Sequence, residues 1–268
     1  MMNRFKELSL YASERIASGL LGKGKSLTPP RRLINAVAGG DFEAVGREFV
    51  RHFVDVGGLK PDHRVLDVGC GCGRMAVPLM KVLSKEGSYE GFDIMRVAID
   101  WCRRHIEAQD SRFRFQHADV YNRSYNPRGP QKPSEYQFPY PTGSFDFLFM
   151  TSVFTHMLSA EMQHYLAEIA RVLKPGGRCM ISMFLLNPEV QALMDGGKSV
   201  FRLTIPRQDC MILREDQPEN AVGYPEDFIR QCFSRNELEI VEPIHFGLWS
   251  GREKHLSFQD IVLALKVG

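Results

Sequence analysis

The stretch Arg64-Val65-Leu66-Asp67-Val68-Gly69-Cys70-Gly71-Cys72-Gly73-Arg74 constrains this chain more than any other. An apolar, strand-friendly run enters three glycines at alternate positions, and an amphipathic run from Met75 to Leu83 follows. The order is strand, tight turn, helix. Glycines let the backbone turn sharply and approach a ligand closely, and the free amides at a helix start face whatever is bound. Such a turn is a cradle for a nucleotide-like ligand, and Pro78 fits the helix only near its start.

Later stretches extend the same pattern. Ser88 to Ile94 reads as a short strand ending in Asp93, a carboxylate 20 residues beyond Gly73. An acid there accepts ribose hydroxyls in dinucleotide sites, or it caps the helix Arg96 to Ile106. Phe113 to Val120 alternates and ends in Ala118-Asp119, a third strand. Residues 121–142 hold five prolines and four tyrosines and read as a long loop. Tyr136, Phe138 and Tyr140 either wall a substrate pocket there or anchor the loop to the core. Ser144 to Met150 is a nearly continuous apolar run, as in a strand buried on both faces, and it leads into Thr151 to His156. Met162, Tyr165, Leu166, Ile169 and Leu173 mark one face of a helix that stops at Lys174-Pro175-Gly176-Gly177, ahead of the strand Arg178 to Leu185.

Upstream, Asp41 is an N-cap for a helix carrying Phe42, Val45, Phe49 and Phe53 up to Gly57-Gly58. Farther still, Phe5, Leu8, Ala12, Ile16 and Leu20 can share one side of a helix; the stretch is a helix packed on the domain or a frayed tail, with a membrane-surface helix the less favoured alternative. Downstream, residues 186–222 lack steady periodicity apart from a short helix Pro188 to Met194. A helix near Pro225 to Phe233, a strand Glu239 to Phe246, a turn at Trp249 to Arg252 and a last strand Gln259 to Lys266 complete the chain.

Composition excludes several classes. Of the 268 residues, 44% are hydrophobic and 25% charged, which sets aside disordered, collagen-like and coiled-coil chains. A net charge of +2, with Lys and Arg dispersed, gives no footprint for nucleic acid. The six cysteines show no C-x-x-C pair or zinc spacing, so free thiols in a cytoplasmic setting are expected, with no metal. No apolar run reaches the roughly 18 residues of a transmembrane span.

The spacing discriminates among nucleotide folds. A dinucleotide turn wants G-x-G-x-x-G, yet after Gly69 and Gly71 the third glycine position is Arg74. The run VLDVGCGCGR instead resembles the first motif of the class I S-adenosylmethionine (SAM) dependent methyltransferases, an acidic residue before G-x-G-x-G. The run FDFLFMTSVFTHM resembles the fourth motif of their small-molecule branch, and EIARVLKPGGRCMISMF is typical of the family. The likeness covers roughly residues 60 to 185 and, more loosely, the C-terminus.

The resemblance implies an α/β, three-layer Rossmann-like sandwich. Its seven-stranded sheet is mostly parallel with an antiparallel last strand, with an N-terminal helical extension (1–58), a methyltransferase domain (59–268), and a lid over 186–222. It implies SAM as cofactor and a small-molecule acceptor as partner. Asp67, Gly69, Gly71 and Gly73 would hold the methionine end, Asp93 the ribose and Asp119 the adenine, with Val120 offering its amide and Cys70, Arg74, Ile94 and Met150 flanking. N-terminal helices fold over the cofactor in such enzymes, which would bring Arg31 and Arg32 toward the site. His156 follows the fourth strand where acceptor and methyl meet; it is the general base, or it caps a helix or bonds the loop backbone. Trp249 and Arg252 touch substrate or pack locally. The absence of Asn-Pro-Pro-Tyr and of a trailing carboxylate after the fourth strand speaks against nucleic-acid adenine, protein glutamine and magnesium-dependent catechol branches. An NAD-dependent oxidoreductase and a catalytically silent SAM-binding protein are the alternatives; a parallel-only sheet would mark the first.

Overall fold

The computed structural model describes residues 27–268 except Ala38; the helix expected over Phe5 to Leu20 lies outside the described residues. Helix α1 (Arg31–Val37) precedes α2 (Phe42–Asp55), which starts where the Asp41 carboxylate accepts the Ala44 N–H at 2.8 Å. The cap satisfies an orphan amide, and Phe42, Phe49, Val50 and Phe53 make the buried stripe that holds the helix down.

Among the described residues eleven strands form two sheets. Seven of them, β1 (Arg64–Val68), β2 (Ser88–Asp93), β3 (Phe113–His117), β4 (Phe145–Met150), β5 (Leu173–Met183), β10 (Leu238–Ile240) and β11 (Asp260–Lys266), lie in the order β10-β11-β5-β4-β1-β2-β3. Pairs β1·β2, β2·β3 and β4·β5 are parallel, while β11 runs antiparallel to both β5 and β10. The expected antiparallel last strand is therefore present. Strands β1 and β4 read as near-continuous apolar runs because both faces are covered; Phe145, Phe147, Leu148, Phe149 and Met150 are all fully buried.

Two compact units divide the chain, 1–119 with 124–127, and 120–123 with 128–268. The first carries β1 to β3, with α3 (Ala76–Leu79) and α4 (Arg96–Cys102) between them. Regular helix after the glycine turn spans only Ala76–Leu79, shorter than the expected Met75 to Leu83, because Pro78 has no N–H to offer the ladder. Helix α4 gives way to a wider, π-type turn at Arg103–Glu107.

The second unit holds β4, β5, β10 and β11, with α5 (Ser159–Val172), α6 (Pro188–Asp195) and α7 (Glu226–Arg235). Segment 186–222, expected to be irregular, builds most of a second sheet: β6 (Leu185–Leu186), β7 (Ile205–Arg207), β8 (Cys210–Ile212) and β9 (Val222–Pro225), in the order β6-β9-β8-β7. These strands are too short to show a period in sequence, and Leu203, Ala221, Val190 and Met194 close on Phe184 and Trp249 as one small core. The strand expected over Glu239 to Phe246 ends at Ile240; Pro243 cannot donate to the ladder, which resumes as a single bridge between His245 and Ile261. Among the described residues no helix is long and apolar enough to cross a membrane.

Candidate active site

In the first unit the site is made of main chain. Gly69, Gly71 and Gly73 take φ of +81°, +53° and +80°, a region that side chains with a Cβ avoid. A Cβ on Gly71 would meet Val37 Cγ1 at 2.5 Å and one on Gly73 would meet Ile106 Cδ1 at 2.4 Å, so the turn is tight as well as left-handed. The N–H groups of Gly69 and Cys70 both donate to the Phe92 carbonyl, tying the turn to β2.

Asp93 ends β2 against that turn. Its Oδ2 accepts the Gly71 N–H at 2.8 Å and its Oδ1 the Met95 N–H at 2.7 Å. A carboxylate offers about four lone pairs, so each oxygen keeps capacity for one more donor, which matches the two hydroxyls of a ribose. Burial raises its pKa while the amides of Met95, Gly71 and Ile94 pull it down. Asp67 is buried and accepts the Tyr89 hydroxyl at 2.6 Å; burial, set against that bond, pushes its pKa up to about 8.

The remaining cofactor candidates are placed as follows. Arg74 reaches back to the Gly39 carbonyl and lies 6.0 Å over the Phe42 ring, so its guanidinium ties α2 and the segment before it to the turn. Cys70 is buried. Ile94 is half-buried, and His117 Nε2 lies 3.1 Å from its carbonyl. Asp119 is exposed and accepts Asn126 Nδ2–H at 2.9 Å, an arrangement open to solvent and so open to a ligand amine. Two tyrosines escaped the sequence reading. Tyr89 points into β1 as the partner of Asp67, and the Tyr125 phenol has its pKa raised by burial and by Asp93, which places it beside the ribose candidate. Neither stands in a motif; only the alternation of β2 could have pointed to Tyr89 as inward-facing.

The second unit uses side chains instead. Val120 is buried and bridges Gln131, and Met150 is buried at the end of β4 opposite Ile181. Past β4, Ser152 takes φ +59°, and its amide donates to Ser182 Oγ at 2.8 Å; that hydroxyl in turn donates to Gln259 Oε1 at 2.5 Å. A non-glycine residue in this region costs energy and persists only where its surroundings hold it. His156 closes a 3-10 turn, Phe154–His156, with Nδ1 2.9 Å from the Glu219 carbonyl oxygen. A carbonyl can only accept, so Nδ1 carries a proton at this contact. Burial lowers its pKa below 6.5, against the opposing pull of the Glu219 and Asn220 backbone, so the imidazole is neutral at pH 7.

Four residues expected near substrate are engaged locally. Tyr136 is buried, its ring near Phe138 and Tyr165, and its carbonyl lies 2.9 Å from His164 Nε2. Tyr140 stands edge-on to Phe145 at 5.0 Å, and Arg171 donates to the carbonyls of both Tyr140 and Phe138. Glu168 accepts the Phe138 N–H and pairs with Arg171. The aromatic loop is thus pinned to α5, the anchoring alternative. Trp249 is fully buried against Phe184 at 4.7 Å, with Nε1–H donating to Asp260 Oδ2 at 2.8 Å. Asp260 also accepts the Leu185 and Gly247 amides, and burial still pushes its pKa up to about 6. Arg252, 8% exposed, stacks 4.0 Å over Phe246 and pairs with Glu189 at 2.9 Å. Of the two alternatives for Trp249 and Arg252, the contacts described are those of local packing: the indole N–H supplies a donor to the buried Asp260 carboxylate, and Arg252 pairs with Glu189.

A parallel sheet with one antiparallel C-terminal strand, a G-x-G-x-G turn after β1 and an acid ending β2 define a class I methyltransferase fold rather than a dinucleotide oxidoreductase. Residues 65–177 match the profile of the family described as "Methyltransferase domain", so this part of the chain is a methyltransferase domain of the SAM-dependent kind, with S-adenosylmethionine as its cofactor. It is 28% identical over 141 residues to the tRNA N(3)-cytidine methyltransferase METTL2 of Gallus gallus, across 52% of this chain and 35% of that one. It is 28% identical over 174 residues to the 27-O-demethylrifamycin SV methyltransferase of Amycolatopsis mediterranei, across 61% of this chain and 57% of that one. The chain therefore spans about a third of the first and just over half of the second. The fold is shared with a SAM-dependent methyltransferase of Methanosarcina mazei, at TM-score 0.53 and 19% identity over 82% of this chain and 97% of that one.

Proposed function

We propose that this chain methylates an oxygen or nitrogen of a small or medium polar acceptor, such as a sugar, natural product or polar lipid, with His156 as general base. The observation that supports the reading is the place and state of His156: it stands six residues past β4 in a 3-10 turn, the Glu219 carbonyl orients the ring, and burial favours the neutral imidazole, the form that takes a proton. SAM, when bound, supplies a methyl that is electrophilic on its sulfonium. The protein's own residues then bind and align. The glycine turn and Asp67 border the methionine end, Asp93 receives the ribose hydroxyls, and Asp119 meets the adenine amine. His156 takes the acceptor's proton. Alignment in a closed site contributes the larger share of the rate, because the methyl needs no further activation. The dispersed cations and net charge of +2 favour a small acceptor over a polyphosphate chain, and a relative named for 27-O-demethylrifamycin SV supports the same class.

Labelled SAM incubated with separate small-molecule and tRNA pools tests the acceptor class. Label is expected in the small-molecule pool; transfer to tRNA alone overturns that part. Once an acceptor is known, His156→Ala should keep SAM affinity and lose about 10²–10⁴ in turnover. In the wild type, turnover should fall as pH drops through a value below 6.5, where the imidazole charges, and the variant should lack that limb. Collapse of SAM binding, or unchanged turnover, would make His156 structural.

A further inference from the structure

Among the described residues six large apolar side chains stand exposed, and three of them, Val200, Leu248 and Phe258, share one place at 59%, 43% and 42% exposure. The backbone brings them together. The Val200 N–H donates to the Trp249 carbonyl at 2.7 Å, the Leu248 N–H to Ser257 at 3.1 Å and the Trp249 N–H to Phe258 at 2.9 Å. Phe201 meets Phe258 edge to face at 6.2 Å. The core beneath is complete without them, being closed by Phe184, Val190, Met194, Leu203, Ala221 and Trp249. The exposed parts of these three side chains thus contribute nothing to the fold, and each leaves apolar surface in water.

Charge around the patch is uneven. Lys198, Arg202 and Lys254 flank it, all exposed and none in an ion pair, whereas Arg207, Arg214, Arg230 and Arg252 in the same unit all have carboxylate partners. Within 198–202 and 247–258 the only acid is Glu253; the next along the chain are Asp260, which is buried, and Asp195. The patch precedes β11, whose first residue Asp260 pairs with Met183, so it lies at the carboxyl end of β5, the end at which open α/β sheets receive ligands.

We propose that this patch docks the protein on the surface of an anionic lipid bilayer. Val200, Leu248 and Phe258 enter the boundary between headgroups and acyl chains, and Lys198, Arg202 and Lys254 face lipid phosphates. A second copy of the chain is the weaker occupant: three side chains fall far short of the roughly 800 Å² per partner of a stable interface, and a twofold contact would set unpaired cations against each other. The docking is independent of the acceptor proposed above.

Flotation of the full chain with vesicles tests it. The protein should float with phosphatidylcholine vesicles containing phosphatidylglycerol and not with phosphatidylcholine alone, and added salt should release it. Leu248→Ser combined with Phe258→Ser should weaken binding by about tenfold or more, while Phe258→Leu retains it. Lys198→Glu combined with Lys254→Glu should weaken it by a similar factor. Circular dichroism and SAM titration of each variant establish that the fold and the cofactor site are intact. Absence of flotation, or flotation that none of these variants alters, overturns the proposal. So does a concentration-dependent dimer that Phe258→Ser dissolves. The assay needs no acceptor, so its failure leaves the methyl-transfer reading standing.

Discussion

The glycine turn and the segments around His156 are built from opposite materials. The turn uses main chain: left-handed glycines, the amides of Gly71 and Met95, and a carboxylate between them. The region after β4 uses side chains whose roles depend on distant partners, as Ser152 depends on Ser182 and Gln259, and His156 on Glu219. Backbone geometry tolerates almost no substitution, because a Cβ has nowhere to go. Side-chain scaffolds can be rebuilt around a new ligand. Relatives of the chain carry names that specify acceptors as unlike as tRNA cytidine and a rifamycin.

The largest expected effect lies in the turn. Gly73→Ala places a Cβ 2.4 Å from Ile106 Cδ1 at φ +80°, combining overpacking with left-handed strain for a loss of about 2–4 kcal/mol in denaturant unfolding. A variant of wild-type stability would mean that the turn is looser than described. Trp249→Phe removes one of three donors to Asp260 and should cost about 1–3 kcal/mol while sparing SAM affinity. If instead acceptor KM rises with stability intact, Trp249 reads substrate after all.

Asp67 offers a subtler contrast. The folded chain holds its proton up to about pH 8, whereas the unfolded chain releases it near 3.8, so folding takes up a proton between those values. Stability attributable to this group therefore declines as pH rises across that window. Asp67→Asn, which cannot ionise, should show a shallower decline in unfolding midpoint than the wild type; identical slopes would sink the assignment. The smallest effect belongs to the aromatic loop. Tyr136→Phe should leave acceptor KM unchanged within error, since the ring and backbone, rather than the hydroxyl, make the contacts described. A clear rise in KM would return Tyr136 to the substrate pocket.

Legibility in the sequence followed the same divide. Strands β1 to β5 and β11 could be read because their apolar runs and their spacing along the chain are local properties, and the Asp41 cap was visible from one residue and the periodicity after it. Asp93 was legible because its place at a strand end is fixed by the turn before it. The four strands of the second sheet were not, since runs of two to four residues carry no period. Trp249 and Arg252 misled because an amphipathic residue in a turn looks exposed until its partner is known, and Asp260 and Glu189 stand 11 and 63 residues away. Tyr125 feels the Asp93 charge because 124–127 folds with the first unit, which no local pattern announces.

The central claim is that the glycine turn and Asp93 together hold SAM. Isothermal titration of SAM and of NAD into the wild type and into Asp93→Ala tests it most directly, with circular dichroism to confirm folding. SAM should bind the wild type, NAD should not, and Asp93→Ala should weaken SAM by roughly tenfold to a hundredfold, since two ligand hydroxyls lose a charged acceptor. Saturable NAD binding, or SAM affinity unchanged in a folded Asp93→Ala variant, would contradict the account.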